Sequence, residues 1–352
     1  MSGWETISTS RLEDLAGKVS VQLRIEPERI LPFADATAAL TCLLQYRADT
    51  STDLLVAGLA TPELAIAADR AGIRLAEVVG ESPFVSSPND LVAAVNAGDE
   101  TIFLANPNQL TGADFARADL VRLAAAVPNG MLIVDETLFD FYGISALPLL
   151  TDCTNIVVLR SLTAGFGIRS DESGYLVGSP AVLNVLRHDP AWSTMSNTVY
   201  RILSVTMSSG DARDKHVATI RDEALKIATH LTRLGIQNRL TATDFLLMRV
   251  ADPKQTGNWL ARYNVSVENL DGYPQLKSYI RYRIQSPLSN ERLLTAFDNM
   301  PREYYRLKGL DKRMVKMHRP PQTDPMAERA AETEPATERI AAYVAPDLEE
   351  SR

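Results

Sequence analysis

The chain has 352 residues, 45% hydrophobic and 23% charged, enough for about two domains and a large buried core. That composition excludes a wholly disordered, collagen-like or membrane-spanning polypeptide. Thirty-six basic residues against 44 acidic ones give a net charge of -8, so neither nucleic acid nor an anionic membrane surface is expected as a partner.

The first residues lack the basic region and apolar run of a signal peptide, and no later apolar run approaches the ~18 residues of a spanning helix, which points to the cytoplasm. Cys42 and Cys153 are too few for a disulfide framework and fit no metal-ligand spacing, so both are expected as buried thiols. His188, His216, His230 and His318 form no pair at ligand spacing, and no metal is expected.

In chain order, short apolar runs alternate with amphipathic stretches, the pattern of a mostly parallel sheet covered by helices on both faces. Strands are predicted at Asp53–Ala57, Thr101–Ala105, Met131–Asp135, Asn155–Arg160 and Gly174–Gly178. Crossover helices are predicted at Thr61–Ala71, where Thr caps a first-turn Pro, and at Pro88–Ala97 and Asp114–Ala126. A long helix over Asp211–Leu234 carries Val217, Ile220, Ala224, Ile227 and Leu231 on one face and opens a smaller α+β domain. That domain continues with strands at Thr243–Val250 and Tyr279–Ile284 and helices at Lys254–Tyr263 and Asn290–Asn299. The expected organisation is a short N-terminal segment (1–18), a large α/β domain (19–210), a small C-terminal α+β domain (211–301), a basic extension (302–319) and a disordered tail (320–352) rich in Pro, Ala, Glu and Thr.

Ligands of open α/β sheets bind at the carboxyl ends of the strands. There the chain places Asn106-Pro107-Asn108-Gln109-Leu110-Thr111-Gly112, then Asp135-Glu136, then Arg160-Ser161-Leu162-Thr163-Ala164-Gly165. On residue type alone, Asp135 could contact a ligand or cap the next helix, Asn108 could bind a ligand or form an Asx turn, and Arg281 could hold a carboxylate ligand or a neighbouring acid.

Together these segments, with Thr243 to Val250, Asp271-Gly272-Tyr273-Pro274 and Tyr279-Ile280-Arg281, resemble the aspartate-aminotransferase fold of class I/II aminotransferases, the fold-type-I pyridoxal-phosphate enzymes. The chain is most similar to the branch of histidinol-phosphate aminotransferase and threonine-phosphate decarboxylase. The resemblance implies pyridoxal phosphate as cofactor, an amino-acid substrate and a dimer. It matches Asp135 to the carboxylate that pairs with the pyridinium nitrogen, Asn108 to the amide on the phenolic oxygen, and Arg281 to the clamp on a substrate carboxylate.

In the resembling enzymes the Schiff-base lysine follows the residue matched by Thr163, and here that position is Ala164. Alanine offers no amine for covalent capture and no proton to shuttle. Apart from Lys18, no lysine precedes Lys215. By the same match, the phosphate-gripping arginine becomes Glu172 with Asp171 beside it, and Arg169 is a candidate for a displaced replacement. The glycine-rich phosphate cup becomes Phe33-Ala34-Asp35-Ala36-Thr37-Ala38, the stacking aromatic becomes Thr61, and an expected tyrosine becomes Leu138. The chain also starts late relative to these enzymes, which implies a missing N-terminal arm. Three readings follow: a degenerate site binding an amino-acid-like or carboxylate ligand with non-standard or no catalysis; a non-catalytic subunit paired with an active homologue; or an active enzyme with a relocated lysine.

Overall fold

Strands that are apolar on both faces are stable only between two helix layers, and the first part of the chain builds that sandwich. The computed structural model describes residues 9–50, 53–85, 87–141, 144–168, 173–189, 192 and 197–307. Arg169, Asp171, Glu172, most of the basic extension and the whole acidic tail lie outside the described residues. The chain divides between Arg213 and Asp214 into two units.

The first unit runs α1 (Thr9–Leu23), β1 (Ile30–Phe33), α2 (Ala36–Ala48), β2 (Asp53–Ala57), α3 (Pro62–Ala71), β3 (Arg74–Val78), α4 (Pro88–Ala94), β4 (Thr101–Ala105), α5 (Arg117–Ala126), β5 (Met131–Asp135), β6 (Ile156–Ser161), β7 (Gly174–Val177), α6 (Pro180–Arg187) and α7 (Asn197–Met207), and ends in the first turn of α8 (Gly210–Leu234). The sheet order is β1-β7-β6-β5-β4-β2-β3. Strands β3, β2, β4, β5 and β6 are parallel, and β7 runs antiparallel to both neighbours. Alternate residues of each strand enter opposite cores. Leu55, Ile102, Leu132 and Val158 pack with Leu15, Val19, Leu91, Leu120 and Leu203 on one face. Leu54, Phe103, Ile133 and Val157 pack with Leu43, Leu64 and Leu183 on the other.

Three predicted strands coincide with β2, β4 and β5, while β6 is shifted by one residue at both ends and β7 stops one residue short of expectation. Strands β1 and β3 were not among the expected ones. β3 is an edge strand of sequence RLAEV, half exposed and charged at both faces, so it carries little periodic signal. Helix α4 stops at Ala94 rather than Ala97, because the buried Glu100 carboxylate accepts the N–H groups of Asn96 (2.6 Å), Ala97 (3.0 Å) and Gly98 (2.8 Å) and turns the chain into β4. Helix α5 starts at Arg117 rather than Asp114, since Phe115 N–H donates to Asn106 Oδ1 (2.9 Å) and belongs to the preceding loop.

The second unit holds the rest of α8, then β8 (Gln237–Leu240), β9 (Phe245–Arg249), α9 (Pro253–Ala261), β10 (Glu268–Asn269), β11 (Tyr279–Arg283), α10 (Pro287–Asp298) and α11 (Arg302–Tyr305). Its sheet, β10-β11-β9-β8, is antiparallel throughout. Val217, Ile220, Ala224, Ile227 and Leu231, the apolar face read from the sequence, are all buried. Asn290 organises the interior, accepting from Tyr282 Oη (2.8 Å) and donating to Glu223 Oε2 (2.8 Å). No described helix is long and apolar enough to cross a membrane.

Candidate functional site

The parallel strands deliver Ala105, Asp135 and Ser161 to one edge of the sheet, and the loops that follow carry the polar groups. After β4, the loop folds on its own side chains. Asn108 Oδ1 accepts the N–H groups of Leu110 and Thr111 (both 3.0 Å) and the hydroxyl of Thr111 (3.1 Å). Gly112 closes the turn at a φ of 70°, a left-handed conformation that favours glycine. The carbonyl of Asn108 is thus committed to the turn. Its Nδ2 has no hydrogen-bond partner among the described residues and lies 3.7 Å from where a Cβ on Gly58 would sit.

Asp135, buried at the end of β5, does not meet Asn108. Its Oδ1 accepts the N–H (2.9 Å) and hydroxyl (2.6 Å) of Thr137, and its Oδ2 accepts Nε2 of Gln109 (2.7 Å). Burial pushes the Asp135 carboxyl above the ordinary range, and the Thr137 and Gln109 donors offset only part of that. Gln109 was not among the residues singled out from the sequence, although its position beside Asn108 on the strand-edge loop was the available signal. The next residue, Glu136, turns to the other side. It pairs with Arg160 Nε (2.8 Å) and accepts from Ser145 Oγ (2.8 Å), with the guanidinium 3.5 Å from the centroid of Phe139. A cavity of about 290 Å³ lies against this pair and includes Asp140, Ser161, Phe166 and Arg213 in its wall. None of Asn108, Asp135 and Ala164 lines it.

After β6, Ser161 Oγ accepts the N–H groups of Thr163 and Ala164 (both 3.0 Å), which starts a 3-10 turn over Ala164–Phe166. Thr163 is buried with its hydroxyl 3.3 Å from Ser161 Oγ. Gly165 leaves room for Asp140 here: a Cβ would lie 2.2 Å from the present position of Asp140 Oδ2 and displace that side chain. Two more positions of the edge are spent on helix caps. Asp35 accepts Ala38 N–H (2.9 Å) at the start of α2, and Thr61 accepts Leu64 N–H (3.3 Å) at the start of α3. Lys18, on α1, is paired to Asp14 at 2.6 Å and donates to Ser204.

Arg281 lies on β11 of the second unit. Opposite it in register is Glu268, whose Oε2 accepts Arg281 Nε at 2.9 Å, and the guanidinium stands 5.2 Å from the centroid of the Phe245 ring. Among the described residues no group of three His, Cys, Asp or Glu side chains is placed to hold a metal ion.

A two-unit α/β chain with this sheet order is an aspartate-aminotransferase-like fold of type I. Residues 9–286 match aminotransferase class I and II, and the chain belongs to that family. It is 31% identical over 207 residues to histidinol-phosphate aminotransferase 1 of Burkholderia lata, a match covering 55% of each chain. The same enzyme of a Thermoanaerobacter strain is 24% identical over 200 residues, 56% of each chain. The chain therefore spans about half the length of the curated relatives it matches. Among solved structures, histidinol-phosphate aminotransferase from Sinorhizobium meliloti in complex with pyridoxal-5'-phosphate superimposes with a TM-score of 0.74 at 17% identity, covering 84% of this chain and 82% of that one. L-threonine-O-3-phosphate decarboxylase from Porphyromonas gingivalis gives 0.67 at 19% identity, covering 82% and 88%. At such identities these two likenesses speak for the fold alone.

Proposed function

We propose that this chain is a divergent aminotransferase-fold protein that binds an amino-acid-like or other carboxylate ligand and performs no lysine-dependent transamination at position 164. The observation that carries this is Ala164 itself, held at the start of its turn by Ser161. A methyl group supplies neither a covalent link nor an exchangeable proton. Bound pyridoxal phosphate supplies an electron sink to enzymes of this fold. The residues present here do not fit it. Asp35 sets a carboxylate on the N-terminus of α2, where free N–H groups would otherwise draw a phosphate. Thr61 spends its hydroxyl on capping α3, and the Asp135 oxygens are engaged by Thr137 and Gln109.

What remains suits an acceptor-bearing ligand. In the first unit Asn108 offers an amide N–H; in the second, taken by itself, Arg281 pairs with the carboxylate of the half-exposed Glu268, for which a ligand carboxylate could exchange. We place the protein in the cytoplasm, as a homodimer or paired with a lysine-bearing homologue.

Treatment with pyridoxal phosphate and then borohydride, followed by peptide mapping, is expected to give no pyridoxyl-lysine. Calorimetry with a panel of amino acids and small carboxylates is expected to find a ligand whose affinity falls about tenfold or more in Arg281→Ala and rises in Glu268→Gln. A pyridoxyl-lysine on any peptide overturns the reading in favour of a relocated lysine. Co-purification with a lysine-bearing homologue, without ligand binding, assigns the chain as a non-catalytic subunit.

A further inference from the structure

Gln109 lies in the loop that follows β4 and Asp135 ends β5, and the register that pairs Ala105 with Asp135 starts that loop beside the carboxylate. The Gln109 amide reaches to 2.7 Å from Asp135 Oδ2, with the same nitrogen 3.0 Å from Thr137 Oγ1. Thr137 holds the other carboxylate oxygen through both its N–H and its hydroxyl. Asp135 is 5% exposed, so these donors take the place of water around a buried carboxylate. One residue earlier, Asn108 does the reverse: its acceptor is used up and its Nδ2 has no partner among the described residues.

We propose that Gln109 is a built-in occupant of the Asp135 carboxylate, so that a ligand bearing an N–H donor or a ring nitrogen reaches Asp135 only by displacing the Gln109 amide. The sheet edge as folded therefore selects ligands that present an acceptor oxygen, to Asn108, over ligands that present a nitrogen, to Asp135. This deepens the reading above and rests on it for where the ligand edge lies. Side-chain length is the physical reason. An asparagine at 109 is one methylene shorter and cannot keep both the 2.7 Å and the 3.0 Å contacts without moving the backbone of a loop held by Asn108.

The test uses pyridoxine, which has the ring nitrogen but neither the aldehyde that needs a lysine nor the phosphate that Asp35 opposes. Its affinity is measured by calorimetry or ligand-observed NMR on the full chain, on Gln109→Asn, on Gln109→Ala and on Gln109→Ala/Asp135→Ala. Gln109→Ala is expected to bind about tenfold tighter than the wild-type chain or better, the order expected when one hydrogen bond to a charged group need no longer be displaced. Gln109→Asn should fall between them, and the double variant should lose the gain. Should the alanine variant melt early, Gln109→Asn, which keeps the amide, reads the same effect. Equal affinities in the wild-type chain and the Gln109 variants, or no binding to any of them, overturn the proposal, as does a gain that survives loss of Asp135. Because pyridoxine forms no imine, a pyridoxyl-lysine in the borohydride experiment would sink the proposed function and leave this result standing. Equal pyridoxine affinities would do the opposite.

Discussion

Asp135 shows how much one side chain's surroundings matter. Burial raises its pKa, so the folded chain holds the carboxyl proton more tightly than the unfolded chain does. By linkage, this contribution favours folding below the unfolded carboxyl pKa and is lost as pH rises through the folded one. Asp135→Asn does not titrate. Its stability relative to the wild-type chain is therefore expected to improve as pH rises through that window and then to level off, provided Gln109 turns its carbonyl toward the new amide. Urea denaturation from acid to neutral pH measures this, and a relative stability that falls with rising pH contradicts it. Thr61 gives a simpler case. Thr61→Ala is expected to cost about 1 kcal/mol for the lost cap of α3, with Thr61→Ser retaining most of it. An unchanged urea midpoint would mean that the hydroxyl has another task.

At the scale of elements, β5 and β6 are joined by more than their backbone ladder. Glu136 and Arg160 form an ion pair whose side chains are 0% and 6% exposed, completed by Ser145 Oγ, which bonds to both. Removing one partner leaves the other charged and buried. Arg160→Ala is expected to lower stability by roughly 3–5 kcal/mol, well beyond the cost of an exposed pair such as Lys18 with Asp14. A loss below about 1 kcal/mol would show that water reaches Glu136 through the adjoining cavity. The same scale explains where the predicted elements shifted. Glu100 shortens α4 and Asn106 delays α5, each because a side chain captured backbone N–H groups that periodicity assigns to a helix.

Across the molecule, the two-faced core of the first unit sets which groups are reachable. Cys42 lies in that core, and burial, with a smaller contribution from Asp189, pushes its thiol up to about 11. In a Cys153→Ser background, a thiol reagent at mildly alkaline pH is expected to modify Cys42 only as fast as the first unit opens, and at once in denaturant. Rapid labelling under native conditions would mean that α2 is not held as described.

The sequence by itself determined the α/β class, the strand that delivers Asp135 to the sheet edge, and the apolar face of α8. These are properties of residue type and of spacing along one segment, where the pattern of burial repeats locally. Tertiary structure alone decided that Gln109 holds Asp135, that Asp35 is spent on a helix N-terminus, and that Arg281 is already paired with Glu268. The physical reason is that a polar side chain satisfies its hydrogen bonds with whatever the strand order and register bring within about 3 Å, and residues distant in sequence supply those partners.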